Sequence, residues 1–263
     1  MNGDHTEFRA TRGDLVAAVA AIAATYFYFL IFAEFSLIEL ARPVADTPER
    51  LRLFMAMLGL GGVAGSLLAA WRFRLERLSR TLATAFRACA VAAVLALIAK
   101  SWGLLLFAAG SVGLSLGWLT VTLCAGLRST VGTVRLGVVV GLGTGLAYAA
   151  SNLPWVFNAT PYAQTVMAGL VAGAGAIAGA WLQPQEPSVS QLPEYRPAGL
   201  VAWIAILLAL VWLDSAAFYI IQHAPELRSE AWGSNGTLLG NAFAHRAAAV
   251  LAGMALDRRW TGR

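Results

Sequence analysis

Apolar residues in this chain gather into long uninterrupted runs, and the runs set the expected elements. About eight stretches reach the roughly 20 apolar residues that a helix needs to cross a bilayer. They lie at 14–38, 52–71, 81–100, 102–126, 136–157, 162–182, 199–221 and 234–256. The runs are too long for strands and lack the period-two alternation of a barrel. A helix also satisfies its own backbone hydrogen bonds, which hydrocarbon cannot do for it. The pattern therefore predicts an all-α, polytopic membrane protein with about eight transmembrane helices.

Composition agrees. Hydrophobic residues make up 59% of the 263 and charged residues 13%, against about 25% charged in a soluble domain. There is too little polar material to cover a water-facing surface, so the bilayer is the expected partner. Lys100 is the only lysine among 19 basic residues. The arginines sit in the gaps between apolar runs, which is the signature of membrane topology and not of nucleic-acid binding. With the N-terminus inside, the inside segments hold Arg9, Arg12, Arg72, Arg74, Arg77, Arg80, Arg128, Arg135, Arg196, Arg258, Arg259 and Arg263. The outside segments hold Arg42, Arg50, Arg52, Lys100 and Arg228. The positive-inside rule thus places both termini in the cytoplasm of a bacterial-type plasma membrane. The first apolar run is too long for a signal-peptide core and reads as a retained span.

One connection differs in kind. Residues 183–197, QPQEPSVSQLPEYRP, contain four prolines and few apolar side chains, which suits an extended, solvated linker. It divides the chain into a six-helix bundle, 1–182, and the start of a second bundle, 198–263. A short repeat crosses the divide. AGSLLAAWRFR, from Ala64, and AGMALDRRWTGR, from Ala252, stand 188 residues apart. A repeat at that distance suggests a six-helix unit beginning a second time.

This layout resembles the major facilitator superfamily. In that family the loop after helix two, and its counterpart after helix eight, commonly read Gly-x-x-x-Asp-Arg-x-Gly-Arg. The run from Gly253 through Asp257, Arg258 and Arg259 to Gly262 and Arg263 is similar to the second copy. The first copy keeps Gly65, has Ala69 where the aspartate would stand, and spreads its arginines from Arg72 to Arg80. Gly137, Gly141 and Gly145, followed by Asn152 and Pro154, resemble the family's glycine-rich fifth helix. The resemblance implies a major-facilitator-like helical bundle lacking the last four helices, either a piece or a shortened form of the full architecture. It also implies a cavity lined by the first, fourth and seventh spans.

Ionisable groups deep in a membrane cost roughly 2.5–3.5 kcal/mol on insertion scales, so each is a functional candidate. Asp214, in the seventh span, is a coupling carboxylate, a substrate contact or half of a structural ion pair. Arg246, in the eighth, is the expected partner of Asp214. The adjacent His245 is a proton-relay group or a packed, hydrogen-bonded histidine. Glu34 lies a turn deeper in the first span than the interfacial Glu39 and is the better cavity candidate. Arg87 can snorkel to the cytoplasmic face. The fourth span carries Ser111, Ser115, Trp118 and Thr122 on one stripe. The fifth carries Thr144, Tyr148, Ser151, Asn152 and Trp155. Such stripes line a solute path or hold helices together through hydrogen bonds of about 0.6 kcal/mol each. Among these, the family resemblance favours Glu34, Ser115, Trp118 and Asp214.

Other chemistry finds no footing. The GLGTG run, 141–145, lies within an apolar helix and follows no strand, so it is not a dinucleotide loop. Cys89 and Cys124 lie in apolar segments and read as packing residues. No nucleophile and base stand in a recognisable arrangement, and no cofactor or metal is expected. Two functions follow from the sequence. One is a secondary transporter that moves a small solute by alternating access, coupled to protons through Asp214 or Glu34. The other is a non-transporting scaffold or partner subunit, whose exposed packing faces would recruit a second copy or a missing half.

Overall fold

The computed structural model describes residues 10–132, 134–184 and 224–260, and every regular element among them is helical. The first, α1 (Arg12–Ala41), is one continuous rod. Its middle stretch, Tyr28–Ser36, is wound as a π-helix, a rare form frequent at functional sites. Then come α2 (Pro48–Arg72), a 3₁₀ turn at Leu75–Arg77, α3 (Leu78–Ile98), α4 (Trp102–Val131) and α5 (Leu136–Ser151). The short α6 (Pro154–Phe157) precedes α7 (Pro161–Trp181). Beyond residue 223 lie α8 (Pro225–Trp232) and α9 (Asn235–Trp260).

Local chemistry sets the starts. Thr11 and Asp14 form a reciprocal capping box at α1, with the Thr11 hydroxyl accepting from Asp14 N–H at 3.2 Å and the Asp14 carboxylate accepting from Thr11 N–H at 3.1 Å. Thr47 caps α2 and Thr160 caps α7, each followed by a proline whose missing N–H costs nothing at a first helical position. Helix α4 ends at Gly132, whose φ of +73° favours a residue without a side chain.

The helices pack in pairs. Extensive seams join α2 to α4, α3 to α7 and α5 to α9, with α1 lying against α5 and α7. Glycine sits at each of the three paired seams. A Cβ on Gly61 would meet the Gly110 carbonyl, one on Gly65 the Leu114 backbone, and one on Gly113 the Leu58 carbonyl. From Gly61 to Gly65 the contact moves from Gly110 to Leu114, so α2 and α4 are parallel. On α7, Gly175 and Gly179 face Phe86 and Leu82 of α3 with the order reversed, so that pair is antiparallel. Small residues let backbones approach closely, and close packing is what joins helices in lipid, where apolar burial offers no net drive.

Among the described residues, five helices are long and apolar enough to cross a membrane: α1, α2, α3 with its preceding turn, α4 and α7. All five coincide with expected stretches, and the other three of the about eight are not shown as spans among the described residues. The run at 136–157 is not one rod. It makes the 16-residue α5, which stops where Asn152 turns back on Tyr148 and Pro154 starts α6. The run at 234–256 forms the 26-residue α9, but Asn235, Asn241, His245 and Arg246 make it too polar to count with the five. The run at 199–221 lies outside the described residues, as do linker positions 185–197. Outward faces are apolar, with Leu60, Leu67 and Leu170 each about two-thirds exposed or more, which suits hydrocarbon rather than water.

The core between α1, α3 and α4 holds one polar cluster. Tyr28 is fully buried, and its hydroxyl donates to the Cys89 carbonyl at 2.8 Å. Ser115 sits beside the Cys89 thiol. A neutral buried hydrogen bond contributes about 0.5–1.5 kcal/mol net. Tyr28→Phe is therefore expected to lower the unfolding temperature in detergent modestly while leaving the protein folded, which thermal unfolding followed by size-exclusion profile will read.

Candidate functional site

Helices from either side of residues 183–197 meet along the α5–α9 seam, and two groups of side chains are assembled there. At one end Asp257 of α9 reaches the N-terminus of α5. Its Oδ1 accepts from Gly137 N–H at 2.7 Å and its Oδ2 from Val138 N–H at 2.8 Å. The first turn of any helix leaves N–H groups without intrahelical partners. A residue just before the helix ordinarily caps them, but Arg135, at that position, makes no side-chain cap bond. Asp257 supplies the cap from another helix, with its negative charge at the positive end of the α5 dipole.

The approach depends on paired glycines. A Cβ on Gly253 would overlap the Gly137 carbonyl, and one on Gly137 would lie 2.5 Å from the Gly253 carbonyl and 2.8 Å from Asp257 Oδ1. Further along, Gly141 lies against Ala249 and Gly145 against Arg246. The order of these contacts makes α5 and α9 antiparallel.

Farther along the seam is a group of rings. Tyr148 of α5 stacks on His245 of α9, with centroids 5.0 Å apart and planes at 27°. Tyr26 of α1 lies 6.4 Å from Tyr148. A second group joins three elements. Phe35, Phe157 and Trp232 lie with centroids 5.7–5.8 Å apart, bringing together α1, α6 and α8.

The remaining candidates fall as follows. Glu34 is half-buried in the π-wound stretch of α1. Arg246 is exposed beside Gly145, and Asp214, its expected partner, lies outside the described residues. Asn152 is buried and its amide donates to the Tyr148 carbonyl at 2.9 Å, closing the end of α5. Ser115 is 2% exposed and donates to the Val112 carbonyl of its own helix, so its hydroxyl lies in the packed interior of this conformation. Trp118 is half-buried and lines a separate cavity with Arg72, Arg74 and Arg77. The structure thus groups Tyr148 with His245, and separately joins Gly253 and Asp257 to α5. It gives Ser115 and Trp118 other neighbours. Gly65 is buried in the α2–α4 seam, and Arg258 is exposed beside Asp257.

Sequence reading did not single out Tyr26, Phe35, Phe157 or Trp232. They lie in three different segments, and aromatic residues within apolar runs carry no linear signal of their partners. Among the described residues no three His, Cys, Asp or Glu side chains form a metal-binding group. No family model, curated protein or solved structure matches this chain.

Proposed function

We propose that this chain is a secondary transporter of major-facilitator type, carrying a small solute across a plasma membrane by alternating access. The observation that carries the reading is the α5–α9 joint. It links a helix before residues 183–197 to one after them through backbone-to-backbone glycine contacts and a single carboxylate on a helix end. At the Asp257 end such a joint closes firmly on backbone and one carboxylate, with no interlocked large side chains there to release when it parts. The repeat offset supports the same reading. Shifted by 188 residues, α2 becomes 236–260, within a residue of the bounds of α9. Helix directions also agree, since α9 runs antiparallel to α5, as an eighth span should to a fifth.

On this reading the faces of α1, α5 and α9 that carry Tyr26, Tyr148 and His245 border the solute path, and Asp214 or Glu34 couples movement to protons. In vesicles with an imposed proton gradient, screened with labelled sugars, amino acids and organic cations, the protein moves at least one solute. Tyr148→Ala and His245→Ala then slow that flux at least tenfold. Asp214→Asn or Glu34→Gln removes its dependence on the gradient. Gradient-driven flux that survives both carboxylate changes rejects the coupling assignment, and an inert protein across the whole panel rejects transport.

The second reading, a scaffold or partner subunit, draws on α2. Only 17% of its most apolar window is buried, leaving a long face free for a second copy. Cysteine cross-linking at Leu60 in native membranes separates the two. A dimer band without transport favours the scaffold, and a strictly monomeric chain counts against it.

A further inference from the structure

Where α2 ends and α3 begins, a cavity of about 530 Å³ opens, lined by Trp71, Arg72, Arg74, Arg77, Thr81 and Trp118. Three arginines border one space. Among the described residues none of the three is paired with a carboxylate, although Glu76 lies within the same turn. Arg72 lies over the Trp71 ring at 5.4 Å, which orients it without neutralising it. Membrane topology asks only for positive charge near a helix end. It does not ask that three arginines converge on one cavity with two tryptophans in its wall.

The depth of the cavity is marked by Trp71, which is 79% exposed in the last turn of a spanning helix. Tryptophan in that position settles at the level of lipid headgroups. The lining is mixed, with Phe73, Ala69 and Trp118 on the apolar side. An inorganic anion has no use for those walls, but an amphiphile places its phosphate among the arginines and its glycerol and first methylenes against the rings. Guanidinium forks match phosphate oxygens in bidentate fashion, and basic pockets between membrane helices take lipid headgroups in this way.

We propose that this cavity binds the phosphate headgroup of an anionic membrane phospholipid, held by Arg72, Arg74 and Arg77 against Trp118. The site requires a membrane-embedded chain but not that the chain transport anything, so its test stands apart from the flux experiment. The full chain, purified in detergent, is titrated with phosphatidylglycerol, and bound lipid is counted by native mass spectrometry. Phosphatidylglycerol is retained in preference to phosphatidylcholine. Each Arg→Gln change at 72, 74 or 77 weakens it about fivefold, and the triple variant on the order of 100-fold. Arg80→Gln, in the same loop region but outside the cavity lining, leaves binding unchanged. Trp118→Ala weakens phosphatidylglycerol binding with every arginine intact. If the triple variant does not survive purification, the single variants decide. Equal retention of phosphatidylcholine overturns the proposal, as does an Arg80→Gln loss equal to that of the lining arginines, which would mean diffuse charge. Competition by sodium phosphate at matched concentration also overturns it, since the site would then take a free anion.

Discussion

Asp257→Ala is expected to open the α5–α9 joint. The carboxylate makes two short bonds to backbone N–H groups, and hydrogen bonds to a charged group contribute about 1.5–3 kcal/mol. Its position at a helix N-terminus adds about 0.3–1 kcal/mol. A loss of roughly 2–3 kcal/mol shifts a closed–open balance about 30- to 150-fold. Asp257→Asn is expected to be nearly as severe, because the amide keeps one acceptor and turns a donor toward the second N–H. Spin labels at Val134 and Leu256, both exposed, report the separation in a background with Cys89→Ala and Cys124→Ala. The variant's distance distribution broadens and moves outward relative to the parent. An unchanged distribution would show that the bonds do not hold the joint. If the transporter reading is right, the same variant also changes the balance of inward and outward access.

The second large effect concerns the α2–α4 seam. Gly113→Val places a branched side chain where the Leu58 carbonyl and, at 2.8 Å, the Gly62 nitrogen already sit. Backbone atoms of a neighbouring helix cannot step aside as a side-chain tip can, so the helices must part along their length. Overpacking costs typically about 1–3 kcal/mol, occasionally more, and parting also loses the close contact that joins helices in lipid. Gly65→Val, pressed against the Leu114 backbone from the facing helix, acts the same way. Each single change is expected to lower the detergent unfolding temperature sharply, and the double change to leave no monodisperse protein. Gly59 is the internal control. Nothing lies within 4 Å of a Cβ there, so Gly59→Ala should leave the fold intact and stabilise α2 by about 0.5–1 kcal/mol through helix propensity. If Gly59→Ala and Gly113→Val behaved alike, seam geometry would not be what the glycines provide.

Several residues were legible before any coordinates. The Gly253–Asp257 spacing stood out as a motif, and Asp257 proved to contact a helix end. Its partner was not legible, because Gly137 and Val138 present only backbone N–H groups, and these have no sequence identity. Gly137, Gly141 and Gly145 were legible only as a spaced glycine motif, and all three lie against the α9 backbone. Ser115 was placed on a stripe by its spacing, yet spacing alone cannot say whether a stripe faces a cavity or another helix. Here it faces Cys89 of α3. Asn152 read as a polar candidate, but its amide closes its own helix.

The sequence by itself determined the helical character and most of the long apolar elements, because hydrocarbon demands continuous apolar length and internally satisfied backbone, and both are written in composition and run length. Tertiary structure alone decided which helices pair, which polar groups turn inward, where three arginines converge and which helix end receives Asp257. Those outcomes depend on backbone proximity between segments as far apart as α5 and α9, a quantity that local periodicity does not carry.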